Sequence, residues 1–200
     1  MKQYRLTAPE RLQDTIQLPA SKSISNRALI IYSLSGGRAL PENLSDCDDT
    51  EVIIDAMRYM PDEINIKGAG TAMRFMSAYL SVMRGTHVVT GTERMKQRPI
   101  SILVDALRRL GAQIEYAEKE GYPPLKITGK KLTGGLLEIP GNVSSQYTSA
   151  LLMIGPMLKE GLTLQLTGDV ISRPYIDLTL WMMNEFGADA KWSTTDTITV

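Results

Sequence analysis

The sequence holds a single cysteine, Cys47, and a single histidine, His87. The first excludes an intramolecular disulfide framework and a multi-cysteine metal site. The second leaves too little for a histidine-based zinc site or a Ser-His-Asp arrangement. Charge of one sign is also missing. Lys+Arg and Asp+Glu stand at 22 each, a formal net charge of zero, so no overall field draws nucleic acid or an anionic membrane. No apolar run reaches the length of a membrane span, and the charged residues 1–12 do not read as a signal peptide. A reducing, cytoplasmic setting is expected. Neither scarce residue reads as chemistry. His87 alternates with apolar neighbours in "THVVTG" and is expected on a strand surface, and the acids around Cys47 in "LSDCDDTE" are expected to raise its thiol pKa. Asp48 and Asp49 read as helix-start acids.

What the sequence does have is apolar content, 43% over 200 residues, enough for a real core in one large domain or two small ones, and it has repetition. "GAGTAMRFMSAYLSVMRGTHVVTG" recurs in outline as "VSSQYTSALLMIGPMLKEGLTLQLTG". Gly70 precedes Ser145 by 75 residues, Gly85 precedes Gly161 by 76, Arg98-Pro99 precedes Arg173-Pro174 by 75, and Gly111 precedes Gly187 by 76. An earlier copy lies 48 to 50 residues upstream, with Lys22 against Gly70, Gly37 against Gly85, and Asp55 of "IIDAMRYM" against Asp105 of "LVDALRRL". Several landmarks at a nearly constant offset define a repeat better than any one of them.

Each copy reads as strand, polar turn, helix, strand, loop, helix, strand. The second helices carry the helical period at Ile53-Met57-Met60, Leu103-Leu107-Leu110 and Leu178-Met182-Phe186. Asp49-Thr50 is the expected cap before "EVIIDAM", with Glu51 in the first turn. Pro99 and Pro174 suit helix position N1. Gly85, Gly111, Gly161 and Gly187 read as helix C-terminal punctuation. "THVVTG", "LTLQLTG" and "DTITV" are β-branched runs that start after turn signals. The eleven methionines fall mainly in helical runs, as core filler. The copies are too long for most solenoid units, so a compact α/β domain with pseudo-threefold symmetry is expected.

That symmetry gives the polar turns a meaning. "SKSISNR", "GAGTAMR" and "VSSQY" stand at the starts of three equivalent helices, and helix N-termini present unpaired N–H groups and partial positive charge. The turns carry Lys22, Arg27 and Arg74 and no carboxylate, and the second loops "RMKQRP" and "VISRPY" add Arg94, Lys96, Arg98 and Arg173. Taken singly, each feature has a structural reading: a serine cap, a glycine turn, a local ion pair for Arg74, and solvated or orienting roles for Arg94 and Lys96. Ser144-Ser145-Gln146 exceeds what one cap needs. Convergence of three such turns predicts a site for a small, multiply anionic, hydroxylated ligand.

"LPASKSISNRAL", "GAGTAMR", "ERMKQRPI", "YPPLKITG", "VSSQYTSALLM" and "DVISRPYIDLTL" together resemble the successive motifs of the 5-enolpyruvylshikimate-3-phosphate synthase family, over nearly all of residues 19–200. The resemblance implies an inside-out α/β barrel of three βαβαββ units, one of two domains in a member about twice this length. On that reading residues 19–200 form the first domain, residues 1–18 a strand and hinge segment of a second domain, and the second domain itself lies outside this chain. The implied activity is transfer of the enolpyruvyl group from phosphoenolpyruvate to the 5-hydroxyl of shikimate 3-phosphate, releasing phosphate, in chorismate and aromatic amino-acid biosynthesis. It implies no metal and no organic cofactor, a monomeric full-length member, and no nucleic-acid or membrane partner.

Carried over by position, the resemblance implies that Lys22 contacts both substrates and offsets charge in catalysis. Ser23 and Arg27 would hold the shikimate carboxylate end, and Ser144, Ser145 and Ser172 the 3-phosphate, with Gln146 between the substrates and Tyr175 beside the ring. Gly70 and Arg98 would take phosphoenolpyruvate, at the subsite used by the inhibitor glyphosate, which the absence of a methyl group on Gly70 would leave accessible. Two departures are Gly68, where many members have Asn, and Phe75, where many have Pro; the second is expected to alter only the start of its helix. The family's general base and protonating carboxylate would lie outside this chain, so the chain alone is expected to be an inactive half-site. The related UDP-N-acetylglucosamine enolpyruvyl transferases carry a catalytic-loop cysteine that "ERMKQRPI" lacks, and RNA 3′-phosphate cyclases a catalytic histidine for which His87 is poorly placed. A stand-alone anion-binding module remains the non-enzymatic alternative.

Overall fold

A computed structural model describes residues 3–11, 13–37 and 41–200. Three helices fill its centre: α1 (Lys22–Leu34), α3 (Gly70–Val82) and α6 (Ser145–Ile154). Each is buried nearly all round, with Ser25 to Ile31 of α1, eleven residues of α3 and eight of α6 out of solvent. That explains why these segments read as apolar runs without a polar face. The helices α2 (Asp48–Tyr59), α5 (Ser101–Arg109) and α7 (Arg173–Glu185) pack around them. These are amphipathic, as α5 shows by burying Leu103, Val104, Ala106 and Leu107 while exposing Asp105, Arg108 and Arg109. The short α4 (Glu93–Lys96) precedes α5, and a 3-10 turn (Gly155–Met157) ends α6.

Two four-stranded sheets lie outside this bundle. The second repeat contributes β1 (Glu63–Asn65), β2 (Gly85–Thr90), β3 (Gln113–Tyr116) and β4 (Leu125–Gly129); the third contributes β5 (Gly135–Pro140), β6 (Leu162–Thr167), β7 (Lys191–Trp192) and β8 (Thr197–Thr199). Their orders, β1-β2-β4-β3 and β5-β6-β8-β7, are the same, each with one parallel pair and then antiparallel neighbours. Alternate residues face inward at matched register, as in Ile64 beside Val89 and Leu164 beside both Leu137 and Ile198, the alternation a half-buried strand requires. With helices inside and sheets outside, the architecture is the expected inside-out α/β arrangement.

The first repeat departs from the expected pattern. It contributes α1 and α2, but residues 3–21 hold no helix or strand among those described and are almost wholly exposed, and no strand stands between α1 and α2 among described residues. Strands need a ladder partner, and no described residue of this repeat pairs with either sheet. Several local expectations also change. Helix α2 begins at Asp48 with Cys47 at the cap position, rather than with Asp49-Thr50 as the cap, because Thr50 is turned inward to Asn26. Pro99 precedes the cap residue Ile100 rather than opening α5, whereas Pro174 does lie in the first turn of α7. Phe186 ends its helix 40% exposed instead of joining the core.

His87 is on a strand, but it is buried, its Nδ1 2.8 Å from the Pro61 carbonyl. Phe75 is not a helix-start residue either: it lies inside α3, is fully buried, and its ring stands 5.4 Å beneath the Arg27 guanidinium. The four punctuating glycines have φ of +125°, +101°, +65° and +90° at positions 85, 111, 161 and 187. At Gly161 a Cβ would also strike the Val200 carbonyl oxygen at 2.6 Å.

Candidate functional site

The N-termini of α1 and α6 open on one hollow of about 290 Å³, lined by Lys22, Ser23, Asn26, Arg27, Thr71, Ser144, Ser145, Gln146, Ser172 and Tyr175. Thr71 brings the first turn of α3 to the same place. Beside it a second hollow, about 490 Å³, is lined by Gly68, Thr92, Arg94, Met95 and Arg98. Gly70 joins the two. It lies one residue before Thr71, and a Cβ added there would lie against Arg98, 2.9 Å from Cζ and Nη2.

Each wall has a local cause. Ser21 caps α1, its Oγ accepting from the Ile24 amide at 3.4 Å, and Ser144 caps α6, its Oγ accepting from the Gln146 amide at 3.3 Å. Helix α3 has Ala69 at its cap and no side-chain capping bond, so its first amides keep the anion-seeking character of an open helix start. The Gln146 amide Nε2 donates to Thr71 Oγ1 at 3.1 Å, tying α6 to α3 across the hollow. Ser172 sits in the left-handed region at φ 55°, which costs a non-glycine residue backbone energy, and its hydroxyl caps nothing.

Arg27 is sunk to 3% exposure in the floor. Its Nε donates to Thr179 Oγ1 at 2.7 Å, Nη1 to the Ser23 carbonyl at 2.9 Å, and Nη2 to Ser149 Oγ at 3.0 Å and the Tyr175 carbonyl at 3.4 Å. A guanidinium has five N–H donors, so one Nη1 hydrogen is left over for a ligand, too few for a two-pronged grip on a carboxylate. Burial lowers its pKa to about 10, with Tyr175 acting in the opposite direction, and it stays cationic at neutral pH. Ser149 and Thr179, themselves 2.8 Å apart, were not singled out by the sequence. Their signal was position: each lies four residues after a hollow residue, Ser145 or Tyr175, on the same helix face.

The other cations divide by role. Arg74 is buried and pairs with no acid; it donates to the Gly70 carbonyl and to the Pro99 carbonyl, both at 3.2 Å, and its Nε has no partner. It braces the turn that carries Gly70. Lys96 is held by Glu118 at 3.0 Å and Glu93 at 3.4 Å. Arg173 does not join the hollow: it stacks 3.9 Å over Trp192 and donates to the Thr195 carbonyl, drawn to the sheet by the half-buried indole. Arg98 is exposed. Partial burial of its guanidinium, then Arg74 and Arg94, lower its pKa, while Tyr147 and Asp49 oppose them. Lys22 is half-exposed, with Nζ 3.7 Å from Asp49 Oδ1. Burial pushes the Cys47 thiol up, but bonds from Ser45, Thr50 and the Thr50 and Asp49 amides outweigh it, so its pKa is lowered rather than raised.

The sequence also missed Asn26, Thr71 and Asp49 as neighbours of the site. Thr71 was marked by adjacency to Gly70, and Asn26 by an amide entering an apolar run. Asp49 left no sign beyond an ordinary helix-start acid.

Gly70→Ala tests the junction. The nearest atoms to the new Cβ all belong to the movable end of Arg98, and alanine is the better helix former by about 1 kcal/mol, so the melting temperature should hold or rise. Phosphate affinity should fall about tenfold as Arg98 is displaced, given what a charge-assisted contact contributes. Unchanged affinity in calorimetry would detach Gly70 and Arg98 from the site.

The open starts of three buried helices, two cation-lined hollows and an outer layer of sheets define an α/β domain with a basic, hydroxyl-rich cleft. The EPSP synthase (3-phosphoshikimate 1-carboxyvinyltransferase) family model matches residues 6–65 and 60–200, and the chain belongs to that family. A 3-phosphoshikimate 1-carboxyvinyltransferase of Bacteroides fragilis (strain NCTC 9343) is 62% identical over 197 residues, which cover 98% of this chain and 48% of that protein. One from Sulfurovum sp. (strain NBC37-1) is 41% identical over 206 residues, covering 90% and 48%. An EPSP synthase structure from Acinetobacter baumannii superposes with a TM-score of 0.77 at 24% identity, over 92% of this chain and 46% of that one. The chain spans about half the length of the curated relatives it matches.

Proposed function

We propose that this chain is the first domain of an enolpyruvyl transferase, taking residues 19–200 as that domain and residues 1–18 as a segment of a second one, and that it supplies half of a site for shikimate 3-phosphate and phosphoenolpyruvate. The observation that carries the proposal is the meeting of Lys22, Ser23, Arg27, Ser144, Ser145, Gln146, Ser172 and Tyr175 in one hollow. All eight were selected from the sequence. A phosphate suits Ser144, Ser145 and Ser172, whose hydroxyls face a helix start. A carboxylate at the other end meets the Ser23 hydroxyl and the remaining Arg27 N–H, and the exposed Tyr175 ring covers a flat, hydroxylated ring. Gly70, Arg94 and Arg98 offer the neighbouring hollow to the smaller phosphorylated substrate, with Lys22 between them.

The full enzyme then transfers the enolpyruvyl group to the ring hydroxyl and releases phosphate. The chain's share of catalysis is positioning and charge stabilisation, with Lys22 as the group that touches both substrates. A single free cysteine, Cys47, fits a reducing, cytoplasmic setting. Glyphosate, as a mimic of the smaller substrate, belongs in the Arg98 hollow, because Gly70 leaves that hollow open.

Isothermal calorimetry tests the proposal with shikimate 3-phosphate, inorganic phosphate and UDP-N-acetylglucosamine. Preference for shikimate 3-phosphate over phosphate by tenfold or more supports it. Equal binding of the first two would reduce the chain to a general anion module, and preference for the nucleotide sugar would move it to the sister activity.

A further inference from the structure

One carboxylate at the site has no task in the foregoing scheme. Asp49 stands in the first turn of α2, its side chain about one-fifth exposed, with Oδ1 3.7 Å from Lys22 Nζ. Its charge also reaches Arg98, where it acts against Arg74 and Arg94. Asp49 thus pairs with a cation of one hollow and lies within electrostatic reach of a cation of the other. No other acid pairs with Lys22 among the described residues.

The position is built. Thr50, the next residue, is fully buried and donates from Oγ1 to Asn26 Oδ1 at 2.7 Å, and the Ser45 amide donates to Ser25 Oγ at 2.9 Å. Together these bonds fix the start of α2 against the first turns of α1. Asn26, which lines the hollow, is itself fully buried, and its Nδ2 has no partner. Negative charge at a helix start is favoured by the helix dipole, so the carboxylate is stable there without Lys22.

We propose that Asp49 is a built-in counter-ion of the anion hollow: its carboxylate competes with an incoming phosphate or carboxylate for Lys22 and thereby sets how tightly the hollow holds anions. The proposal rests on the anion-site reading above. A negative charge a few ångströms from a bound dianion repels it, and Asp49 offsets part of the attraction that Lys22 offers the ligand. Removing the charge while keeping the shape therefore strengthens anion binding. The added affinity is Coulombic and shrinks as salt screens it.

The test is inorganic phosphate binding by the whole chain, measured by calorimetry at low salt for wild type, Asp49→Asn and Glu51→Gln. Glu51 lies in the same turn of α2 but is exposed, so its variant repeats the change in net charge away from the hollow. Asp49→Asn should bind phosphate about three- to tenfold more tightly, with the gain largely lost near 0.5 M salt, and Glu51→Gln should stay within about twofold of wild type. Binding by Asp49→Asn where wild type shows none would also support the proposal. Equal or weaker binding by Asp49→Asn, in protein whose melting curve shows it folded, overturns the counter-ion role while leaving the hollow as an anion site. Equal gains in both variants overturn it as well, by showing that only net charge matters. Absence of phosphate binding in every form defeats both readings.

Discussion

Phe75→Ala is expected to cost about 3–5 kcal/mol, the usual range for emptying a fully buried phenylalanine site, and to lower the melting temperature by roughly 6–20 °C for a domain of this size. The ring is wholly out of solvent inside α3 and stands 5.4 Å from the Arg27 guanidinium. The cavity would open under the floor of the hollow. Arg27 would lose one of two aromatic faces, the other being Tyr175 at 5.9 Å. Shikimate 3-phosphate binding should therefore weaken along with stability, whereas a core site remote from the hollow, such as Ile198 at the far sheet, should lose stability alone. Phe75→Leu should cost much less, because most of the volume remains. Thermal melts and calorimetry on the three variants check this, and a Phe75→Ala protein that melts within about 2 °C of wild type would remove Phe75 from the core account.

The second large effect is on turnover. The pure 200-residue chain is expected to transfer no enolpyruvyl group from phosphoenolpyruvate to shikimate 3-phosphate, at a detection limit about 10⁴-fold below a complete enzyme. The described walls of both hollows supply cations, hydroxyls and amides, which bind and orient anions. The carboxylate beside them, Asp49, is engaged with Lys22. General acid–base help contributes about 10²–10⁴-fold in rate, and neither lining holds a carboxylate to give it. Phosphate release followed with both substrates checks this. Measurable turnover by the chain alone would contradict it and make Asp49 the first residue to examine as a base.

The sequence carried the repeat and the site further than it carried the details. Constant offsets tied Lys22, Gly70 and Ser145 to equivalent helix starts, and equivalence under threefold symmetry is a statement about space, so the three turns were legible as neighbours. Sheets of identical order in two repeats followed from the same equivalence. The first repeat, which shows no strand among its described residues, did not follow, because a constant offset says which segments correspond and not whether a ladder partner is at hand. Arg27 was legible as a cation at the hollow, but its partners were not: Ser149 and Thr179 lie 122 and 152 residues away in the chain. Arg173 was misjudged for the same reason, since its Trp192 neighbour belongs to the outer sheet. The Cys47 thiol was judged by the charges beside it in sequence, while its pKa is set by the hydroxyls and amides that the helix start turns toward it.

The central claim is that three helix entrances bind one anion in common. Titrating shikimate 3-phosphate into ¹⁵N-labelled chain and following backbone amide shifts tests it most directly. The amides of Ser23, Thr71 and Gln146, one in the first turn of each helix, should move together with a single saturation curve and share one dissociation constant. Shifts confined to one helix start, or three curves that saturate separately, would contradict the account.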